Sequence, residues 1–240
     1  MKRAKVRIYV EHPLGEGQSI ALARGQAHYL FSVMRLAVGD PVSVFNGSDG
    51  EWEAEVADAG KRNGTLLCRI RSAGQRHPPD LWLLFAPIKK ARTDFIVEKA
   101  AEMGAARIVP VRTEFTDAER IRRDRLQAHA IEAVEQCGGT SVPRVEEMSA
   151  LARILATWPE SRRLMFCDET LAGKGVDLPG AAGPWAILIG PEGGFSEAER
   201  GMIGAMPQAV GVSLGPRVLR ADTAAVAAMT LWQSSLGDWK

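Results

Sequence analysis

Two short stretches near the C-terminus hold the residue types best suited to chemistry: Ile189-Gly190-Pro191-Glu192-Gly193-Gly194-Phe195 and Leu214-Gly215-Pro216-Arg217-Val218-Leu219-Arg220-Ala221-Asp222-Thr223. The first sets three glycines beside a carboxylate, a composition that lets a ligand approach main-chain N–H and C=O groups closely. The second carries two guanidinium groups. Together with Arg92 they are fixed cations that can stabilise developing negative charge but are poor bases. Asp222, the carboxylate nearest that loop, reads either as a base or as the cap of a following helix. Neither stretch is a G-x-x-x-x-G-K-[ST] phosphate cradle, and no G-x-G-x-x-G follows a strand, so nucleoside triphosphates and dinucleotides are disfavoured.

The elements that must position these loops are legible on either side of them. Trp185-Ala186-Ile187-Leu188-Ile189 reads as a buried strand, and a helix pattern begins near Ser196 with Glu197 and Glu199 in its first turn. Val210-Gly211-Val212-Ser213-Leu214 reads as a second strand, followed by a Gly-Pro turn and an Ala-rich helix capped by Asp222 or Thr223. Strand-loop-helix units put their loops at the carboxyl ends of sheet strands, where α/β proteins bind ligands. The two loops therefore read either as two walls of one pocket or as ordinary strand-to-helix turns.

Upstream, residues 81–86 form a continuous apolar run, as in a strand covered on both faces. Helices are expected over 94–103, stopped by Gly104, over a long segment reaching Gln136, and over 151–158. Further strands are expected at 107–111 and 164–167. This alternation argues for an α/β region with a largely parallel sheet. Before it, residues 6–10, 42–45, 52–56 and 65–70 read as short strands, with a hairpin loop at 46–50 and a short helix at 28–35. They suggest a small barrel. Its surface carries Lys2, Arg3, Lys5, Arg7, Arg24, Arg35, Lys61, Arg62, Arg69 and Arg71, read either as a solvated face or as a nucleic-acid contact. Gln75-Arg76-His77-Pro78-Pro79-Asp80 is the linker, giving domains at 1–75 and 77–240.

Composition sets outer bounds. With 46% hydrophobic and 25% charged residues in 240, the chain is of ordinary globular type, and no apolar run approaches bilayer length. The basic N-terminus is followed by no signal core, and three cysteines without C-x-x-C spacing suit a reducing compartment, so a cytoplasmic protein is expected. Cysteines and histidines make no recognisable metal set, and no metal is expected. Net charge is +1, split as +3 through Arg76 (eleven Lys/Arg, eight Asp/Glu) and −2 beyond it, so binding of a polyanion rests on clustering rather than bulk charge.

The two loops, extended to Ser196 and Ala224, resemble the SPOUT superfamily of RNA methyltransferases. More narrowly they resemble the bacterial enzymes that methylate a uridine of small-subunit ribosomal RNA at ring nitrogen 3. The resemblance implies a PUA-like N-terminal barrel that holds RNA and a C-terminal trefoil knot that holds S-adenosylmethionine, in a homodimer. Residues matching Gly190, Glu192, Gly193, Gly194, Leu214, Gly215, Val218 and Leu219 surround the cofactor in that family, with the strand end at Phe166-Cys167-Asp168 as a third wall. Glu192 also reads as a cap of the following helix. Lys89-Lys90-Ala91-Arg92-Thr93-Asp94 matches the family's first-helix motif. Glu135-Gln136-Cys137-Gly138 matches another, although Gly139 stands where the family usually has arginine and Asp222 where it more often has glutamate.

The expectation is therefore an enzyme with Arg220, Arg217 and Arg92 as its catalytic groups and Arg7, Arg24 and Arg35 as RNA contacts. Its partner is small-subunit rRNA or a ribosomal particle, without membrane. The Arg120-Ile121-Arg122-Arg123-Asp124-Arg125 run reads as a phosphate contact or as an exposed helical face. Methylation of a ribose 2′-hydroxyl, or a non-catalytic role in RNA binding or ribosome assembly, are the alternatives.

Overall fold

The computed structural model describes residues 4–60, 62–174, 178 and 180–239. Lys2, Arg3 and Lys61 of the basic set lie outside the described residues. The chain divides into two compact units, Met1–His77 with Val134–Ser141, and Pro78–Ala133 with Val142–Lys240.

In the first unit, β1 (Arg7–Tyr9), β2 (Ser19–Ala21), β3 (Pro41–Phe45), β4 (Glu51–Ala59) and β5 (Gly64–Ala73) form one sheet in the order β1-β3-β4-β5-β2. Only the β1–β3 pairing is parallel. Alternate residues Val42, Val44, Ala54, Val56, Leu66 and Cys68 point into a core with Ile8 and Ile20, as period-2 patterning requires. Irregularities along the β4–β5 ladder raise the local twist and curl the sheet into a half-barrel. The helix expected at 28–35 starts earlier, with α1 (Arg24–Ala27), and continues as a π-helical turn over His28–Val33. That turn ends at Arg35, whose φ of +56° lies in the left-handed region.

The second unit follows the alternating order. It comprises β6 (Leu81–Phe85), α2 (Lys90–Glu102), β7 (Arg107–Arg112), α3 (Arg123–Cys137), β8 (Arg144–Val145), β9 (Ser149–Ala150) and α4 (Leu151–Ala156). After these come β10 (Arg163–Cys167), β11 (Trp185–Ile189), α5 (Glu197–Gly204), β12 (Ala209–Val212) and α6 (Ala221–Ser235). The last residues of α3, from Val134, are assigned to the first unit. The sheet order is β12-β10-β11-β6-β7-β8, with β9 also on β7, and every pairing is parallel.

Leu81, Leu83, Leu84 and Phe85 of central β6 are fully buried, which explains the unbroken apolar run. One sheet face packs Leu84, Val109, Leu164, Phe166 and Leu188 against Leu151 of α4 and Ile203 of α5. α6 lies on β11 and packs along α2. Its Ala224, Ala225 and Ala228 are buried by this packing. β11 and β12 sit on opposite sides of β10, so the chain changes direction there and leaves a crevice beyond the strands' carboxyl ends.

Candidate active site

Three loops meet at that crevice. Residues 167–172 after β10, 189–194 after β11 and 212–224 between β12 and α6 line a cleft of about 240 Å³. The walls are tied to one another. The Gly173 amide donates to the Gly215 carbonyl at 3.0 Å, joining the first loop to the third. Arg200 of α5 joins the first to the second: its guanidinium pairs with both Asp168 and Glu169, and its Nε donates to the Phe195 carbonyl at 3.2 Å. Burial pushes the Asp168 carboxyl up, but the Thr170 amide, at 3.0 Å, and Arg200 outweigh it and hold the group below the usual carboxylate range. Burial alone pushes the Cys167 thiol up, so the strand end presents a neutral sulfur to the cleft. Nothing in the local sequence singled out Arg200. The only signal is an arginine one turn into a helix whose preceding loop must face the acidic pair Asp168-Glu169.

Of the residues expected around a cofactor, Cys167, Gly190, Glu192, Gly194, Leu214, Gly215, Val218 and Leu219 line the cleft, together with Arg217 and Arg220. Phe166 does not; its ring is buried edge-on against Phe195, with centroids 5.0 Å apart. Gly193 also faces away, and a β-carbon there would lie 3.0 Å from Cβ of Phe115. Gly190 is glycine for a packing reason, since a β-carbon would stand 2.6 Å from the Phe195 ring. Gly215 is glycine for a backbone reason: its φ is +113°, and the space where a side chain would project is open.

The arginines divide into two kinds. Arg92 is engaged, bridging Glu192 at 3.5 Å and Asp222 at 3.6 Å. Arg217 and Arg220 are exposed on the cleft wall, and no carboxylate among the described residues pairs with either. The expectation that Asp222 or Thr223 caps α6 is corrected. The N-cap is Arg220, whose carbonyl accepts the first helical hydrogen bond from Ala224 at 2.7 Å. Asp222 lies in the first turn, where its charge favours the helix dipole while it holds Arg92. Glu192 does not cap α5 either. Ser196 and Glu199 form a reciprocal capping box, and Glu199 also accepts from the Glu114 amide at 2.8 Å.

In the first unit the three arginines expected to contact RNA separate in the same way. Arg7 is consumed internally, a correction to the expected surface role. It pairs with Glu51 at 2.6 Å, donates to the Val134 and Gly139 carbonyls, and stacks 3.8 Å from the Phe45 ring centroid. Its β-strand position puts it on the face opposite the core residue Ile8, where it meets the 134–139 segment. Arg24 and Arg35 are exposed. Arg24 lines a shallow hollow with His28, Ser32 and Arg62. Among the described residues no cluster of His, Cys, Asp and Glu could hold a metal ion, and no helix is long and apolar enough to cross a membrane.

Residues 75–233 match the RNA methyltransferase domain model and residues 22–67 the RNA methyltransferase PUA domain model. The ribosomal RNA small subunit methyltransferase E of Rickettsia conorii is 29% identical over 228 residues, 93% of each chain. The enzyme of that name from Neisseria gonorrhoeae, solved bound to S-adenosyl methionine, superposes with a TM-score of 0.89 at 26% identity, covering 98% of this chain and 99% of that one. A Legionella pneumophila protein, solved in complex with the bound cofactor SAM, gives a TM-score of 0.87 at 27% identity, covering 99% and 100%. With the domain model spanning well over half of its length, and the cleft built from the loops that carry its glycines and arginines, the chain belongs to the RNA methyltransferase family.

Proposed function

We propose that the protein methylates N3 of a uridine in small-subunit ribosomal RNA, with S-adenosylmethionine as donor, as a cytoplasmic homodimer whose first unit helps to hold the RNA. The observation that carries this reading is the three-loop cleft, apolar within and rimmed by two arginines that have no carboxylate partner among the described residues. The residues present fit the cofactor. Val218 is 70% exposed on the cleft wall, an apolar surface that an adenine ring would cover. Leu214, Leu219, Ile189 and Ala224 continue that wall, and the open side of Gly215 admits close contact with backbone. Glu192 supplies negative charge suited to a cationic ligand. The knotted C-terminal region implied by the family resemblance is part of this reading.

S-adenosylmethionine, when bound, supplies an electrophilic methyl group on a sulfonium. The chain's own residues prepare the acceptor. Neutral uridine carries a proton on N3, and the nitrogen attacks only as that proton passes to solvent water, leaving negative charge on the ring until the methyl group is taken up. In this reading Arg217 and Arg220, which have no carboxylate partner among the described residues, stabilise this charge at the ring oxygens. Arg92 acts at one remove: by holding Glu192 and Asp222 it fixes the second loop against the start of α6. The Cys167 thiol, pushed up by burial, stays protonated and does not compete as a nucleophile. The dimer is what the family resemblance implies.

The deciding experiment incubates the protein with labelled S-adenosylmethionine and small ribosomal subunits or free rRNA from cells lacking the gene. Digestion and mass spectrometry then identify the product nucleoside. Label in 3-methyluridine supports the reading. Label on a ribose 2′-oxygen reassigns the reaction, and cofactor binding without incorporation points to an assembly role.

A further inference from the structure

A second groove, of about 310 Å³, opens at the carboxyl end of the same sheet, beside the first turns of α2 and α3. Its lining includes Lys90, Arg120, Arg122 and Arg125 over a floor of Ile88 and the buried Leu126. Two of these cations are already matched. Arg125 is bidentate to Asp94 at 2.6 and 2.9 Å, and Arg122 pairs with Asp124 at 2.9 Å. Lys90 and Arg120 are exposed and have no carboxylate partner among the described residues. Asp117 and Glu119 belong to the adjoining loop but do not line the groove. The floor is rigid, because the buried Thr93 hydroxyl bonds both the amide and the carbonyl of Ile88, each at 3.0 Å. The positive ends of α2 and α3 add to the charge of the two free cations.

We infer that this groove binds a backbone phosphate of the RNA substrate flanking the nucleotide held at the cofactor cleft. The inference rests on the methyltransferase reading above and adds a substrate contact on the second unit. Residues two apart on a helix project about 200° from each other. Lys90 therefore lines the groove while Arg92 reaches Glu192 at the rim of the cleft, so the first turn of α2 separates the two sites by roughly one helix diameter, ~10 Å. A short stretch of extended RNA spans that distance. A planar base belongs in the apolar cleft, and a compact anion belongs in the shallow cationic groove.

The test uses the full chain with Lys90→Ala and Arg120→Ala combined, and unmodified small-subunit rRNA as probe. Filter binding over a salt series should show about tenfold weaker affinity and a salt slope shallower by about 0.7, because one phosphate goes unneutralised. Calorimetric titration of S-adenosylmethionine should be unchanged. Arg120→Glu alone should weaken RNA binding further than Arg120→Ala, which keeps the question answerable if the double variant folds poorly. Wild-type affinity and slope in these variants, with methylation by the unmodified protein intact, would overturn the inference by itself. Failure of the unmodified protein to bind or methylate RNA would instead remove the functional reading, and this inference with it.

Discussion

Replacing Arg200 by alanine tests whether the cofactor cleft is held together electrostatically. The substitution removes both ion pairs and the hydrogen bond to the Phe195 carbonyl, and it leaves Asp168 and Glu169 side by side without a cation. Exposure fixes the size of the effect: the side chains of Arg200, Asp168 and Glu169 are 23%, 14% and 35% exposed. Breaking a fully buried pair from one side costs about 3–5 kcal/mol, whereas exposed pairs are worth about 0.2–1 kcal/mol. This cluster falls between, at about 2 kcal/mol. For a chain of this length each kcal/mol lowers Tm by roughly 2–4 °C, so a fall of about 4–8 °C is expected.

The pH dependence carries a second signature of the same pairing. The Asp168 carboxyl is held below its ordinary value in the folded protein. Its contribution is therefore fully present above the unfolded carboxyl pKa, about 4, and is lost as pH falls through the lower folded value. Without Arg200, only the Thr170 hydrogen bond is left to offset burial at that carboxylate. The difference in Tm between the two proteins should accordingly be greatest near neutrality and shrink below about pH 4. Calorimetric melts from acid to neutral pH read both effects. A variant melting within 1 °C of the parent, by roughly the lower bound for exposed pairs, with an unchanged pH profile, would show that the loops hold each other without Arg200.

Other substitutions separate chemistry from scaffolding. Arg220→Ala should slow single-turnover methylation by about a hundredfold, for ~3 kcal/mol of lost anion stabilisation, while cofactor affinity stays near normal; lysine should restore only part, and an unchanged rate excludes the role. Gly190→Ala should cost roughly 1–3 kcal/mol by overpacking the buried Phe195 ring and should weaken cofactor binding, both read by denaturant melts and titration. Arg7→Ala should destabilise the first unit in a urea melt, because Glu51 and two backbone carbonyls lose their donor. Arg24→Glu with Arg35→Glu should leave that melt nearly unmoved and flatten the salt dependence of RNA binding instead.

The expected residues differ in how well they survive the structure for one reason, the range over which each is determined. Local pattern was sufficient for β6, because a strand covered on both faces must be apolar throughout, and for the start of α5, because Ser196 and Glu199 satisfy each other within one turn. The positions of the two loops followed equally from chain order, since a loop between a parallel strand and a helix falls at the strand's carboxyl end. Local pattern failed at the helix over 24–33, where the turn widens to π geometry. It failed again at α6, where the N-cap residue is Arg220 and makes no side-chain cap.

Sequence by itself determined the chain's class, the alternation of its second unit and the two loops that line the cleft, since each is set by periodicity or by residues adjacent along the chain. Which charges remain available was decided only by tertiary structure. Arg7, Arg92, Arg200, Arg217 and Arg220 are the same residue type in the sequence. The fold pairs the first three with carboxylates, the partner of Arg7 lying forty-four residues away and those of Arg200 about thirty, and leaves the last two at a cleft without a carboxylate partner among the described residues. A guanidinium is scaffold or reagent according to whether a carboxylate reaches it, and sheet order, through long-range packing, decides which ones do.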